Sequence, residues 1–299
     1  MITVFTPTYN RAHLLPRLYE SLCQQDCTDF EWLIIDDGSV DNTQEVLKCW
    51  SRMNNPFPMR YYKVKNGGKQ RAINMAMELA KGNFFFIVDS DDALASNAVS
   101  FILNAFDTLP KNDDTYIGIS GLKVYFDGSY IHRAPLIDSS IGYVDCNNLG
   151  RSRFNLQGDM AEVFFLHKLR QYTFPVWEGE TFTPEAVVWD KMALDGYRLR
   201  WFNKPIYYCE YQTEGLTNST WSLLKRNPMG YAMLFNTMLQ YAKRGRMNTI
   251  LQFISCCCLA GEYGYIQKCN SSWVYALLPL GWLLSLRRRV QFKRYVATR

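Results

Sequence analysis

The chain has 299 residues, 48% hydrophobic and 20% charged, a composition that supplies a large core and excludes a disordered or fibrous protein. Six of its 33 basic residues, and no acid, fall in residues 287 to 299, leaving 27 basic against 28 acidic residues elsewhere. That distribution excludes nucleic-acid binding across a basic folded face. The nine cysteines are too irregularly placed for a disulfide scaffold, and Cys23 and Cys27 have no second pair at zinc-type spacing.

The opening MITVFTP enters a strand pattern with no basic stretch before it, so no secretory leader is expected. In chain order the pattern predicts a strand over Ile2 to Phe5, a helix from Ala12 to Gln25, and a buried strand over Glu31 to Asp36. Asp41 caps a helix running towards Trp50. A strand near Tyr61 to Val64, a helix from Gln70 to Ala80 and the apolar run Phe84 to Val88 follow. Strand and helix alternating through short loops mean βαβ units: an α/β fold with a mainly parallel sheet flanked by helices. Ligands of such sheets lie beyond the carboxyl ends of the strands.

The polar residues collect at those ends. The four strands finish in TPTYNR, DDGSVDNT, KNGGKQR and DSDD. Each alone is ordinary turn or cap chemistry; four together on one rim point to a binding site. Asp89, Ser90, Asp91 and Asp92 end a strand that has no polar residue of its own. Clustered carboxylates repel unless a cation lies among them, and their hard oxygens suit Mg²⁺ or Mn²⁺ with a diphosphate as partner. Asp92 is either part of this group or a helix cap. The loop Asn66 to Arg71 offers glycines for close backbone approach and Lys69 and Arg71 for phosphate charge, without the spacing of a P-loop.

TPTYNR, EWLIIDDGSVDNT, NGGKQRAIN and FFFIVDSDD, in this order, resemble family 2 of the glycosyltransferases, closely over residues 1 to 125 and loosely to about 215. The resemblance implies a GT-A fold and an inverting transfer from a nucleotide-sugar, a UDP-sugar, to an acceptor hydroxyl, with Mn²⁺ or Mg²⁺ as cofactor. It implies that Pro7, Tyr9, Asp36 and Asp37 hold base and ribose, that Asn66 lies near the base, and that Asp89 and Asp91 form the DxD element. Asp91 is then the more direct metal ligand. Where the family often has Arg before the residue that is Asn74 here, this chain has Ile73. The diphosphate's basic partner is therefore left to Lys69 or Arg71.

An inverting transfer needs one base on the acceptor side. In GETFTPEAVVWDKMA, Glu185 stands four residues before Trp189, the place the resemblance gives to that base, although Pro184 replaces the first acid of the family's pair. Glu178, Glu180 and Asp190 are its rivals, and a plain helix-start acid is the bland alternative. Asp159 belongs to the acceptor side or caps a following helix.

The division expected is a catalytic domain over 1–218, with a nucleotide-binding half 1–110 and an acceptor half 111–218, and a helical region over 219–299. Asn227 and Pro228 start one helix, Gly245 is a stop, and another helix spans about 248 to 263. The 14-residue run WVYALLPLGWLLSL is too short to span a bilayer. With the basic residues after it, it is expected to place the chain on an anionic membrane surface, in the cytoplasm at the inner face, beside a glycan or lipid-linked acceptor. A sugar-phosphate nucleotidyltransferase, which would show glycine after the first strand, and an inactive sugar-nucleotide binding module are the rival functions.

Overall fold

Four runs of branched and aromatic residues form the strands β1 (Ile2–Thr8), β2 (Phe30–Asp36), β3 (Met59–Lys63) and β4 (Phe84–Ile87). β2 is buried at all seven positions, the continuous pattern of a parallel strand covered on both faces. The connecting helices are α1 (Leu15–Cys23), α2 (Thr43–Trp50) and α3 (Lys69–Leu79). β1 pairs in parallel with β2 on one side and β4 on the other, and β2 with β3. The register sets Thr8 beside Asp36 and Asp36 beside Lys63. Parallel pairing therefore delivers all four carboxyl ends to one rim.

The computed structural model describes residues 1–210 and 220–297. The expected boundary at 218, and the loop running to Asn218, lie outside the described residues. The chain divides into two compact units, 1–173 with 195–210, and 174–194 with 211–299. The segment Phe174–Leu194, which carries Glu185, thus groups with the C-terminal helices.

In the first unit the sheet continues through β5 (Ala93–Leu94), β6 (Tyr116–Tyr125), β7 (Tyr143–Cys146), β8 (Ala161–Phe165) and β9 (Arg198–Cys209), with helices α4 (Ala98–Asp107) and α5 (Leu166–Leu169). Its nine strands run β3-β2-β1-β4-β8-β6-β9-β5, with β7 also on β9. β8 lies antiparallel to both β4 and β6, while β6 and β9 are parallel. The strand direction changes beside β4, the strand that ends in the acidic cluster. Asp159 precedes β8, not a helix, which corrects the expected cap: AEVFF pairs with two strands and is held in the sheet.

The second unit is helical: α6 (Ala186–Leu194), α7 (Thr220–Arg226), α8 (Pro228–Tyr241), α9 (Arg246–Ala260) and α10 (Val274–Ala297). Asn227 and Pro228 do open α8. Gly245 instead opens α9, at φ 71°. α8 ends four residues earlier, where the Arg246 guanidinium takes the carbonyls of Leu239 at 2.7 Å and Ala242 at 3.2 Å. Cys256, Cys257 and Cys258 are free and buried on α9, as small core side chains. Among the described residues no helix is long and apolar enough to cross a membrane.

Gly118 shows how tightly β6 and β8 meet. A Cβ there would lie 2.1 Å from the Val163 carbonyl oxygen, a clash with backbone that no rotamer relieves. Gly118→Ala is expected to cost about 2 kcal/mol or more, an overpacking strain. Urea unfolding checks this; an unchanged midpoint would show that the two strands part easily.

Candidate active site

The rim is built by carboxylates that first hold its own loops. Asp36, fully buried, accepts the Tyr61 hydroxyl at 2.9 Å and the Ser39 N–H at 2.8 Å. Asp37 accepts the N–H groups of Gly67 at 2.7 Å and Gly68 at 2.8 Å, and the Asn66 amide at 3.1 Å. Burial raises the Asp37 carboxyl, against the pull of those two N–H groups. Between them Gly38 sits at φ +84°, where a Cβ would come within 2.8 Å of the Asn66 nitrogen; only glycine lets the second and third loops close together. Pro7 is half-buried within β1, while Tyr9, 47% exposed, and Asn66 face solvent at the rim.

Beside them lies the cluster at the end of β4. The Lys69 ammonium is 2.7 Å from one oxygen of Asp89. The other oxygen is 3.8 Å from Lys123 of β6, which approaches Asp92 to 3.1 Å. Lys123 also stands 4.3 Å from the centre of the Tyr207 ring. Tyr207 on β9 donates its hydroxyl to Asp92 at 2.7 Å and accepts the Asp89 N–H at 2.9 Å. Asp91 has Arg11 at 3.8 Å, and its carbonyl accepts the Arg17 guanidinium. Arg17 reaches Glu210 at 3.2 Å and lies over the Phe126 ring.

The electrostatics follow from this packing. Burial pushes Asp89 up, but Lys69 and Lys123 outweigh it and hold the carboxyl down at about 2. Asp92 is pushed up to about 6, chiefly by burial, with Asp89 and Asp91 adding to it against Lys123. Burial works against the Lys123 charge, and Asp89 and Asp92 overcome it, raising its pKa. Asp92, buried and bonded to Lys123 and Tyr207, is thus a member of the cluster and not a helix cap.

Of the residues singled out in the sequence, the structure brings Lys69, Asp89 and Asp91 together. It turns Arg71 onto the Gly67 carbonyl of its own loop. Arg11, Lys123 and Tyr207 were missed. Lys123 did leave a signal: it is the one charge within the strand YIGISGLKVY, and a lone lysine in a buried run needs an acid to meet.

In the second unit, Glu180 accepts the N–H groups of Met229 at 2.7 Å and Gly230 at 2.8 Å, closing the start of α8. Asp190 accepts the Tyr241 hydroxyl at 2.7 Å. Both are buried, whereas Glu178 is exposed and Glu185, at the start of α6, is half-buried.

Asp89 and Asp91 offer only hard oxygen donors, and both side chains are partly open, 34% and 21% exposed. Among the described residues no three His, Cys, Asp or Glu side chains converge into a ready cage. This donor set fits a hard divalent cation of the kind that uses one or two carboxylates and completes its shell with phosphate and water oxygens.

Residues 3–137 match the sequence model of the family described as Glycosyl transferase family 2. Over 107 residues the chain is 38% identical to chondroitin synthase of Pasteurella multocida (strain Pm70), covering 36% of this chain and 11% of that protein. Over 152 residues it is 30% identical to poly(ribitol-phosphate) beta-N-acetylglucosaminyltransferase TarP of Staphylococcus aureus (strain N315), covering 48% and 46%. The chain therefore spans less than half the length of either relative. Among solved structures it is similar to S. aureus TarS 1-349 in complex with UDP-GlcNAc, with TM-score 0.61, 16% identity, and 97% and 91% coverage. The Pyrobaculum calidifontis mannosyltransferase PcManGT in complex with GDP-Man and Mn²⁺ gives 0.55, 19%, 97% and 82%. At those identities the structural likeness establishes the fold, GT-A.

Two measurements probe the cluster. Lys123→Met keeps the stem and removes the charge, leaving Asp92 buried beside two other carboxylates; losing one partner of a buried pair typically costs about 3–5 kcal/mol. An unfolding midpoint equal to wild type would mean that the ammonium does not hold the cluster. The Asp89 carboxyl is lowered on folding, so its contribution is present above the ordinary carboxylate range and is lost as pH falls towards about 2. The stability gap between wild type and Asp89→Asn should accordingly narrow from pH 5 towards pH 2, followed by thermal melting.

Proposed function

We propose that the chain, whose residues 3–137 match the model of glycosyltransferase family 2, moves a sugar from a nucleotide-sugar, a UDP-sugar, onto an acceptor hydroxyl with inversion. The observation that carries this reading is the convergence of Asp89, Asp91 and Lys69 on one rim of parallel strand ends. Tyr9 and Asn66 offer exposed groups for base and ribose, with Pro7 behind them. Asp36 and Asp37, whose oxygens already hold the loops, keep that nucleotide-binding rim in shape. Lys69 is the cation proposed for the diphosphate, and Arg71 supports its loop.

Asp91 and Asp89 would hold Mn²⁺ or Mg²⁺, which when bound takes up the negative charge of the leaving diphosphate. In the transfer, the acceptor oxygen bonds to the anomeric carbon as the bond from that carbon to the diphosphate oxygen breaks. The acceptor's proton goes to a carboxylate. That carboxylate is proposed to be Glu185, which stands four residues before Trp189, where the family resemblance puts the base. The acceptor proposed is a surface glycan or a lipid-linked glycan, reached by a chain peripheral to the inner face of the membrane. The UDP-GlcNAc bound to S. aureus TarS and the chondroitin synthase relative support a donor and product of these classes.

Asp91→Asn is expected to lower transfer by about 10²-fold or more while melting as wild type does. Undiminished transfer in excess chelator would remove the metal from this account. Glu185→Gln should keep donor affinity and lose about 10²- to 10⁴-fold in transfer rate. A rate within a few-fold of wild type would pass the role to Glu178.

A further inference from the structure

α10 buries one side and exposes an apolar stripe on the other. Leu277, Gly281, Ser285, Arg288 and Phe292, spaced three or four apart, are buried. At Gly281 a Cβ would lie 2.5 Å from the Ile254 side chain of α9, so that side chain packs directly on the α10 backbone. Arg288 reaches Ser255 at 3.2 Å, and Arg289 reaches the Cys258 carbonyl at 2.9 Å. The first half of the tail is therefore part of a packed helix, and two of its six cations bond to α9.

Among the described residues the other side has no such cover. Tyr275, Trp282, Leu283, Leu286 and Val290 recur at helical spacing and are 36% to 63% exposed. Trp273, just before the helix, is 70% exposed. The stripe is followed one turn later by exposed Lys293 and flanked by exposed Arg287. No acid follows Glu262 in the chain. Along the stripe, an apolar groove of about 500 Å³ opens between α10 and the end of α9, lined by Cys258, Tyr263, Ile266, Leu278, Pro279 and Trp282 among others. No charged side chain lines it, and Gln267 brings its one amide beside the rings of Tyr263, Tyr275 and Trp282, a lining with little to orient a charged or sugar ligand.

We propose that this face is a lipid-docking surface: the outward stripe of α10 lies in the interfacial zone of an anionic bilayer, and the groove takes an acyl chain of one of its lipids. It rests on the peripheral placement proposed above, and names the residues that make it. Exposed aromatic and aliphatic side chains in line with cations, and no anion, are the chemistry of a segment lying in the plane of a charged membrane. A helix already packed on one side that still shows an apolar stripe on the other leaves that stripe to water unless something covers it.

The test uses the full chain with vesicles of phosphatidylcholine, with and without phosphatidylglycerol. Wild type should float with the anionic vesicles and lose binding as salt rises. Acyl chains brominated near the headgroup should quench its tryptophan fluorescence, and Trp273→Phe with Trp282→Phe should remove most of that quenching. Leu283→Gln with Leu286→Gln, both at exposed positions, should bind at least about tenfold more weakly while melting as wild type does. Equal binding by the leucine double variant, or quenching that survives loss of both Trp273 and Trp282, overturns the proposal. So does a wild-type dimer in sedimentation that the double variant dissolves, since a second copy then covers the stripe. Metal-dependent nucleotide release, measured on the same samples, reports on the transfer reaction separately and should be equal in all of them.

Discussion

One buried ammonium organises the candidate active site. Lys123 is 10% exposed and shared between Asp89 and Asp92, with the Tyr207 ring against it. A charge taken that far from water is tolerated only when paired and bonded. The pairing fixes the end of β4 against β6 and β9, three strands far apart in sequence. Without it, three carboxylates within four residues would repel each other out of any common geometry. With it, Asp89 stays ionised and Asp91 is carried into place at the rim.

The same principle runs along the neighbouring loops. Asp37 joins the second loop to the third through two backbone N–H groups, and Gly38 permits that approach. Asp41 accepts the N–H of Ala12 at 3.1 Å, tying the second loop to the first. These bonds order the rim before any ligand arrives, so less conformational freedom remains to be lost on binding. Carboxylates that look like ligand contacts in the sequence are here partly the frame that holds the contacts.

That distinction explains what was legible in the chain and what was not. β1 to β4 and α1 to α3 could be read because parallel strands buried on both faces leave continuous apolar runs, punctuated by loops of turn residues. β8 was hidden: its five residues enter the sheet between β4 and β6 in the reverse direction, and nothing local announces a partner so distant. Asp89, Asp91 and Lys69 were placed on one rim by topology. Lys123 was missed, because its acids come from another strand. Glu180 and Glu185 look alike in sequence; only the start of α8, some fifty residues later, shows that Glu180 closes a helix. The apolar run before the basic tail was read as a segment for a membrane surface; Gly281 and Arg288 pack one side of it against α9.

The account joins a preorganised acidic rim to the chemistry of a nucleotide diphosphate leaving group, and calorimetric titration of UDP tests that join most directly. Titrated into the full chain with Mn²⁺ present, UDP should bind with one-to-one stoichiometry, and the affinity should fall by about tenfold or more when the metal is chelated. Binding of equal strength with and without metal, or no binding of UDP in either case, would contradict it.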